Sequence, residues 1–201
     1  MSPTEIIGEI IETTSAYLVA ESFELNRPPA LGSLVRVDGA EDGPVYAIVT
    51  HGQTVPLESG RKPVRRSNEG VRDGRVYSEH PELVHLLRTE FTAALVGAAP
   101  GGRIVQGLPA FPPPLHYAVS ECDQTDVRAF SEKLYYLRLL LAAQGEVPSE
   151  QVIAANLRLT YEARGRDAGW LERAAREVAG LLNQETDRLM MVLLAVDPEG
   201  T

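Results

Sequence analysis

Cysteine is nearly absent. Cys122 is the only one in 201 residues, so no internal disulfide can form and an oxidising compartment is not expected. Long apolar runs are missing as well, because no stretch reaches the roughly 18 uncharged apolar residues that a membrane helix requires. The start of the chain, Met1-Ser2-Pro3-Thr4-Glu5-Ile6-Ile7, has neither the basic residues nor the apolar stretch of a secretory leader. A cytoplasmic protein without membrane contact is therefore the expectation. Positive charge is also in short supply. Lys and Arg number 19 against 28 Asp and Glu, a net charge of −9, which argues against a broad nucleic-acid footprint. The deficit is spread evenly: residues 1–120 carry 10 basic and 14 acidic side chains (net −4), and residues 121–201 carry 9 and 14 (net −5). What remains is ordinary globular material. With 44% hydrophobic and 23% charged residues, the chain is too apolar for wholesale disorder and long enough to bury a core unaided.

Recognisable chemistry is lacking too. The P-loop needs two glycines bracketing four residues, then Lys and Ser or Thr, so that backbone N–H groups wrap the phosphates, and the sequence has no such run. Gly97, Gly101 and Gly102 do not make a dinucleotide fingerprint and read as a turn. Ser59-Gly60-Arg61-Lys62 matches the Ser-x-x-Lys tetrad of serine acyl-enzymes, but Pro63 and the glycine-rich context forbid the helix that brings lysine back to serine. His80 and His85 are five apart and would diverge on a helix, so they cannot share a metal; His51 and His116 stand alone. Cys122 lies between Glu121 and Asp123, whose charges raise a thiol pKa rather than activate it. Neither a catalytic residue, a metal ligand nor a cofactor is expected.

Up to about residue 120 the texture is that of strands. Short runs rich in valine, isoleucine and tyrosine alternate with glycine and proline. Strands are expected at residues 5–13, 16–23, 33–38, 44–51, 90–98, 103–106 and 116–120, with a turn at 39–43. In the second, Leu18, Ala20 and Ser22 alternate with Tyr17, Val19 and Glu21, so one face can be buried. Pro81 can open a short helix bearing Leu83, Leu86 and Leu87. Strands this short and this regularly punctuated point to a barrel or sandwich. Between them, residues 53–77 are polar, aperiodic and glycine-rich, the signature of a long exposed loop. From Arg61 to Arg75 that loop holds six basic residues against Glu69 and Asp73.

After Cys122 the period changes. Val127, Phe130, Leu134, Leu137 and Leu141 form a helical stripe, begun by a cap at Asp123 or Thr125 and ended by Gly145 and Pro148. Ser149 can cap a second helix carrying Ile153, Leu157 and Tyr161, which Gly165 ends. Asp167 can cap a third, long one with Trp170, Ala174, Val178, Leu181, Leu189, Val192 and Val196 on one face. The expected organisation is thus a strand-rich domain over residues 1–120 and a three-helix unit over 121–201.

Four segments in order, Ile7-Gly8-Glu9-Ile10, Ser22-Phe23-Glu24-Leu25, Pro29-Ala30-Leu31-Gly32-Ser33-Leu34-Val35-Arg36-Val37 and Val45-Tyr46-Ala47-Ile48-Val49, resemble the HerA–ATP synthase barrel domain. The match spans roughly residues 5–120. Pro112-Pro113-Pro114-Leu115-His116 and the helical tail look like short stand-alone bacterial members of that group. The resemblance implies a small six-stranded β-barrel. In this family the barrel is the crown of a hexameric ring ATPase, or a docking face for a partner nuclease, and not the engine. Because no Walker motif follows the barrel here, the resemblance carries over neither ATP hydrolysis nor any catalytic residue. It implies an assembly or docking module, with itself, a DNA-processing ATPase or a nuclease as partner.

Two sets of residues could serve such a role. Arg61, Lys62, Arg65 and Arg66 could grip phosphates of a nucleic acid or nucleotide, although only Tyr77 offers the stacking that single-strand binders interleave with such charge, and a solvated loop is the competing reading. Tyr136 and Leu140 in the first C-terminal helix, with Met190 and Leu193 near the end of the third, lie where apolar residues wrap most of the helix. Such helices need cover on every side, which makes these four residues candidate interface positions.

Overall fold

The computed structural model describes residues 5–39, 43–58, 60 and 62–196. Among them seven strands make one antiparallel sheet: β1 (Ile6–Thr13), β2 (Tyr17–Ser22), β3 (Leu34–Val37), β4 (Val45–Pro56), β5 (Leu87–Ala98), β6 (Val105–Gln106) and β7 (Ala118–Glu121). Their order is β2-β1-β7-β3-β4-β5-β6, and β2 also pairs with β5. Six strands therefore close into a ring, and β6 adds to β5 beside it. Tyr17 to Glu21 of β2, running against Ala94 to Glu90 of β5, make the closure. Register shifts between Ile10 and Glu12 of β1, and twice along β4, mark bulges that sharpen the local twist and help a short sheet curl. The turn expected at 39–43 falls partly on residues 40–42, which lie outside the described residues.

Strand periodicity sorts side chains between two cores. Ile10, Leu18, Ala20, Val35, Val37, Val45, Ala47, Val49, Phe91, Ala93, Leu95 and Val119 form one cluster, to which all six ring strands contribute. The intervening residues Leu34, Tyr46, Ile48, Ala94 and Val96 join a second cluster with the helices. The near-continuous apolar run Val45-Tyr46-Ala47-Ile48-Val49 follows from this: β4 is buried on both faces, so alternation disappears from its sequence. The predicted alternation in β2 holds, with Leu18, Ala20 and Ser22 on the buried face.

The strands end at Glu121 and the packed helices begin three residues later: α2 (Gln124–Phe130), α3 (Tyr136–Ala142), α4 (Ser149–Ala163), α5 (Ala168–Leu181) and α6 (Thr186–Val196). A further short helix, α1 (Arg75–Glu79), lies in the long β4–β5 connection. The Asp123 carboxylate accepts from the N–H groups of Thr125 and Asp126, and that of Asp167 from Trp170 N–H, so these two predicted caps form; Ser149 is instead the first residue of α4, after Pro148, and makes no side-chain cap.

Two expected helices are broken. The stripe from Val127 to Leu141 is split at residues 131–135, where neither glycine nor proline interrupts the sequence. Other side chains take the carbonyls a continuing helix would use. Gln106 Nε2 donates to Phe130 O (2.7 Å) and Lys133 O (2.8 Å), and Gln106 Oε1 accepts from Tyr136 N–H (3.2 Å). Trp170 Nε1 donates to Ser131 O at 2.8 Å, and Arg164 Nη1 to Arg128 O at 3.0 Å. The long third helix is split at residues 182–185 between α5 and α6. The strands lie close to where they are expected, except that β4 runs on to Pro56 and β5 starts at Leu87, so the long loop begins four residues later than residue 53.

A buried polar chain ties the sheet to the helices. Tyr136 Oη donates to Asn156 Oδ1 (2.9 Å), and Asn156 Nδ2 donates to Gly32 O (2.9 Å). Gly32 has φ +83°, and a Cβ there would sit 2.4 Å from Asn156 N, so the sheet can approach α4 this closely only with glycine. On the other flank Arg36 of β3 holds Asp38 (2.8 Å) and Asp126 of α2 (3.1 Å).

Candidate functional site

The β4–β5 ladder continues beyond the ring as far as Pro56 opposite Leu87, and Leu57 N–H donates to Leu86 O at 2.9 Å. The connection from Leu57 to Leu86 then folds beside this extension. Residues 62–69 have no regular structure, and Pro81–His85 makes a 3-10 turn. Between them opens a cleft of about 360 Å³, whose wall is built from Pro56, Leu57, Val64, Leu83, Leu86 and Leu87. Lys62, Arg66, His85 and Glu58 also line it. Val64 is 73% exposed, Leu57 46% and Leu86 43%, so apolar surface faces solvent around a rim carrying Lys62 and Arg66. Arg66 reaches Glu82 at 3.9 Å with both side chains largely exposed, a pairing worth little in water. Arg65 is exposed beside them. Of the four predicted phosphate-gripping residues, the structure thus brings Lys62 and Arg66 to one cleft and leaves Arg65 in solvent. Arg61 lies outside the described residues, as does Ser59 of the Ser-x-x-Lys tetrad.

The second candidate is α6. Only Val192 of its eleven residues is buried. Arg188 bonds the Glu150 carboxylate and Ser149 Oγ of α4, and Arg158 of α4 bonds Ala195 O, so α6 is clamped near both ends. Met190, Met191, Leu193 and Leu194 stay 39–63% exposed. Met190, Leu193 and Leu194 stand at i, i+3 and i+4 and share a face.

The other two expected interface residues do not belong to this surface. Tyr136 and Leu140 are 1% and 0% exposed, inside the core shared by sheet and helices. Their side of the helix is apolar because the chain covers it itself, with β5 of the sheet and α4 packed against it. Both belong to the core and not to an interface surface. The Tyr136 hydroxyl pKa is pushed up by burial, so it serves as a neutral donor to Asn156.

The remaining reactive groups are scattered. Cys122 is buried, and burial with the charge of Asp126 raises its thiol pKa. His116 pairs with Glu9 at 2.7 Å, His80 with Glu82 at 3.2 Å and His51 with Glu146 at 3.7 Å, on different parts of the fold. Among the described residues no cluster of three or more His, Cys, Asp and Glu could hold a metal ion, and no helix is long and apolar enough to cross a membrane.

No model of a known protein family matches this chain, and no curated protein matches it either.

Sequence reasoning missed Val64, Leu57 and Pro56 as parts of a site. Val64 stands alone in a basic run, and no periodicity marks it. The short apolar face read at Leu83, Leu86 and Leu87 was the available signal, since those three residues meet only in the cleft wall.

Proposed function

We propose that this chain is a non-enzymatic assembly or docking module, built on a small β-barrel of the HerA–ATP synthase type and accessory to a DNA-processing ATPase or nuclease. The observation that carries the reading is the unpartnered face of α6. Four large apolar side chains in succession around Val192 remain in water, although a helix of this composition is stable when covered. Methionine adapts to differently shaped partners, so Met190 and Met191 suit an interface made with a second chain. A closed ring of six strands agrees with the barrel that the resemblance implies, and its filled interior makes a rigid frame for presenting α6. Native mass spectrometry and light scattering at micromolar concentration test the proposal, alone and with proteins co-purified from the native cell. A mass above that of one chain, or a stoichiometric partner, that is lost on Leu193→Ser with Leu194→Ser supports it. A strictly single-chain species whose co-purifying proteins ignore both substitutions overturns it. The purified protein is also expected not to turn over ATP above background, and turnover that tracks the protein peak would sink the non-enzymatic reading.

A second reading is favoured by one observation, the convergence of Lys62 and Arg66 on one cleft with Arg65 exposed beside them. In it, these residues hold the phosphates of a nucleic acid or nucleotide. Binding to single-stranded DNA that weakens steeply with salt would support it, and no shift at low salt would remove it.

A further inference from the structure

The connection between β6 and β7 has a composition of its own. Residues 104–115, Ile-Val-Gln-Gly-Leu-Pro-Ala-Phe-Pro-Pro-Pro-Leu, carry no charged side chain in a protein that is 23% charged. Pro112, Pro113 and Pro114 each fix φ at roughly −65°, and each pushes the residue before it out of the helical region into extended backbone. Phe111, Pro112 and Pro113 therefore hold polyproline geometry on local sterics alone, with about three residues per turn. Pro113 is buried, and Pro112 and Pro114 are exposed; Phe111 is 68% and Leu115 49% exposed. That periodicity turns Pro113 inward as an anchor, sets Phe111 and Pro114 along one outward ridge, and leaves Pro112 and Leu115 beside it. We propose that this stretch is a ligand segment, presented to an aromatic-lined groove of a partner protein that reads polyproline helices.

The kind of partner follows from what the segment offers. From Leu108 to Pro113 no backbone group bonds another. The carbonyls of the exposed Phe111 and Pro112 are thus left as acceptors for the Trp N–H or Tyr O–H of such a groove, while the flat apolar ridges pack on its rings. A charged partner finds nothing to pair with, because at the end of the segment His116 and Glu9 already hold each other at 2.7 Å, and a nucleic acid is disfavoured on the same ground. A second copy of the chain fits poorly, since its clefts are short of aromatic residues. The cleft beside Lys62 has no Phe, Tyr or Trp in its wall, that beside Leu139 has Tyr17 alone, and that between Leu31 and α4 has Tyr161 alone. Both ends of the segment are tied to strands: Gly107 N–H donates to Val96 O at 3.0 Å and His116 N–H to Ile10 O at 2.9 Å. The ligand is therefore held in its binding shape, and docking orders little new chain.

Nuclear magnetic resonance of isotope-labelled WW, SH3 and EVH1 domains, each titrated with the unlabelled full chain, tests this. Saturable shifts of groove resonances are expected in at least one domain, with a Kd of about 500 µM or tighter. Phe111→Ser, at a position already in water, should weaken binding about tenfold and leave the thermal midpoint of the chain unchanged. Pro112→Ala with Pro114→Ala should also weaken it about tenfold, because the ridge is lost and the backbone is no longer held extended. Leu193→Ser with Leu194→Ser on α6 should leave it unaffected, so this proposal and the α6 reading fail separately. Three results overturn the proposal: no shift in any of the domains at about 1 mM chain, shifts indifferent to both Phe111→Ser and the proline pair, or a native mass above one chain that Phe111→Ser abolishes, which would make the segment a contact between copies.

Discussion

Helices α4 and α6 invert what their compositions lead one to expect. Helix α4, Ser-Glu-Gln-Val-Ile-Ala-Ala-Asn-Leu-Arg-Leu-Thr-Tyr-Glu-Ala, is half polar, yet it buries eight residues, Glu150, Asn156 and Thr160 among them. Helix α6, with Leu-Met-Met-Val-Leu-Leu-Ala-Val in unbroken succession, buries one. The difference lies in position. Helix α4 lies against the sheet at Gly32 and touches α2, α3, α5 and α6, so even its polar groups find partners inside. Helix α6 packs chiefly on α4, and more lightly on α5, and leaves Met190, Met191, Leu193 and Leu194 exposed. Hydropathy says how much a helix gains from cover; the tertiary arrangement says whether the chain itself supplies it. An apolar helix left open marks a surface where another chain can supply the rest.

Substitutions that set the two helices' surroundings against each other sharpen this contrast. The largest effect is expected from Leu140→Glu, which places a charge at a fully buried position under α4. The variant should lose about 4 kcal/mol or more and fail to fold cooperatively, as read by circular dichroism and urea unfolding. A folded Leu140→Glu variant would show that this core can open. Asn156→Ala comes next, because it strands the buried Gly32 carbonyl and removes the acceptor of the Tyr136 hydroxyl. A loss of about 2 kcal/mol is expected, with the near-ultraviolet tyrosine signal altered, and an unchanged midpoint would mean that water replaces the amide.

The clamp between α4 and α6 gives a smaller, pH-dependent effect. Burial opposes the Glu150 carboxylate, but the Arg188 guanidinium, a backbone hydrogen bond and Ser149 outweigh it and hold its pKa below the ordinary range. A carboxyl depressed in the folded state stabilises in full above its unfolded value of about 4.3, and the contribution is lost as pH falls through the folded value. Acidification below pH 4.3 should therefore loosen α6 first, which hydrogen exchange resolved by segment can follow. Glu150→Gln should cost about 1 kcal/mol at pH 7 and flatten that part of the acid response. If α6 and α4 exchange in step at every pH, the clamp is not what holds them together. The smallest stability change is expected from Leu193→Glu, within about 0.5 kcal/mol of wild type, because its side chain already meets water. A large loss there would show that α6 is covered by its own chain.

Much of this architecture was legible along the chain. The β2 alternation, the caps at Asp123 and Asp167 and the stop at Gly165 all lie where spacing and capping chemistry put them. One break was readable too: the stripe of the third predicted helix passes from Leu181 to Leu189 with Glu185 where an apolar residue was due, and α5 ends in that gap. The other break was not. Residues 131–135 are sound helix formers in isolation, and what stops the helix is Gln106, Arg164 and Trp170, 25 to 39 positions away in sequence. Of the candidate site, the basic run was visible as composition, but the apolar wall that turns it into a cleft was assembled from Leu57, Val64 and Leu86, each unremarkable in its own segment.

By itself, then, the sequence determined local matters: which stretches extend and which coil, where turns and caps fall, and the sign of charge on each segment. These rest on interactions within a few residues, and backbone propensity and periodicity record them. Tertiary structure alone decided the closure of the ring through β2 and β5, the burial of Tyr136 and Leu140, the exposure of Met190 and Leu193, and the meeting of Lys62 and Arg66 with Leu86. Each depends on which distant segment arrives to cover a surface or take a carbonyl, and a side chain's hydropathy is the same whether that segment comes or not.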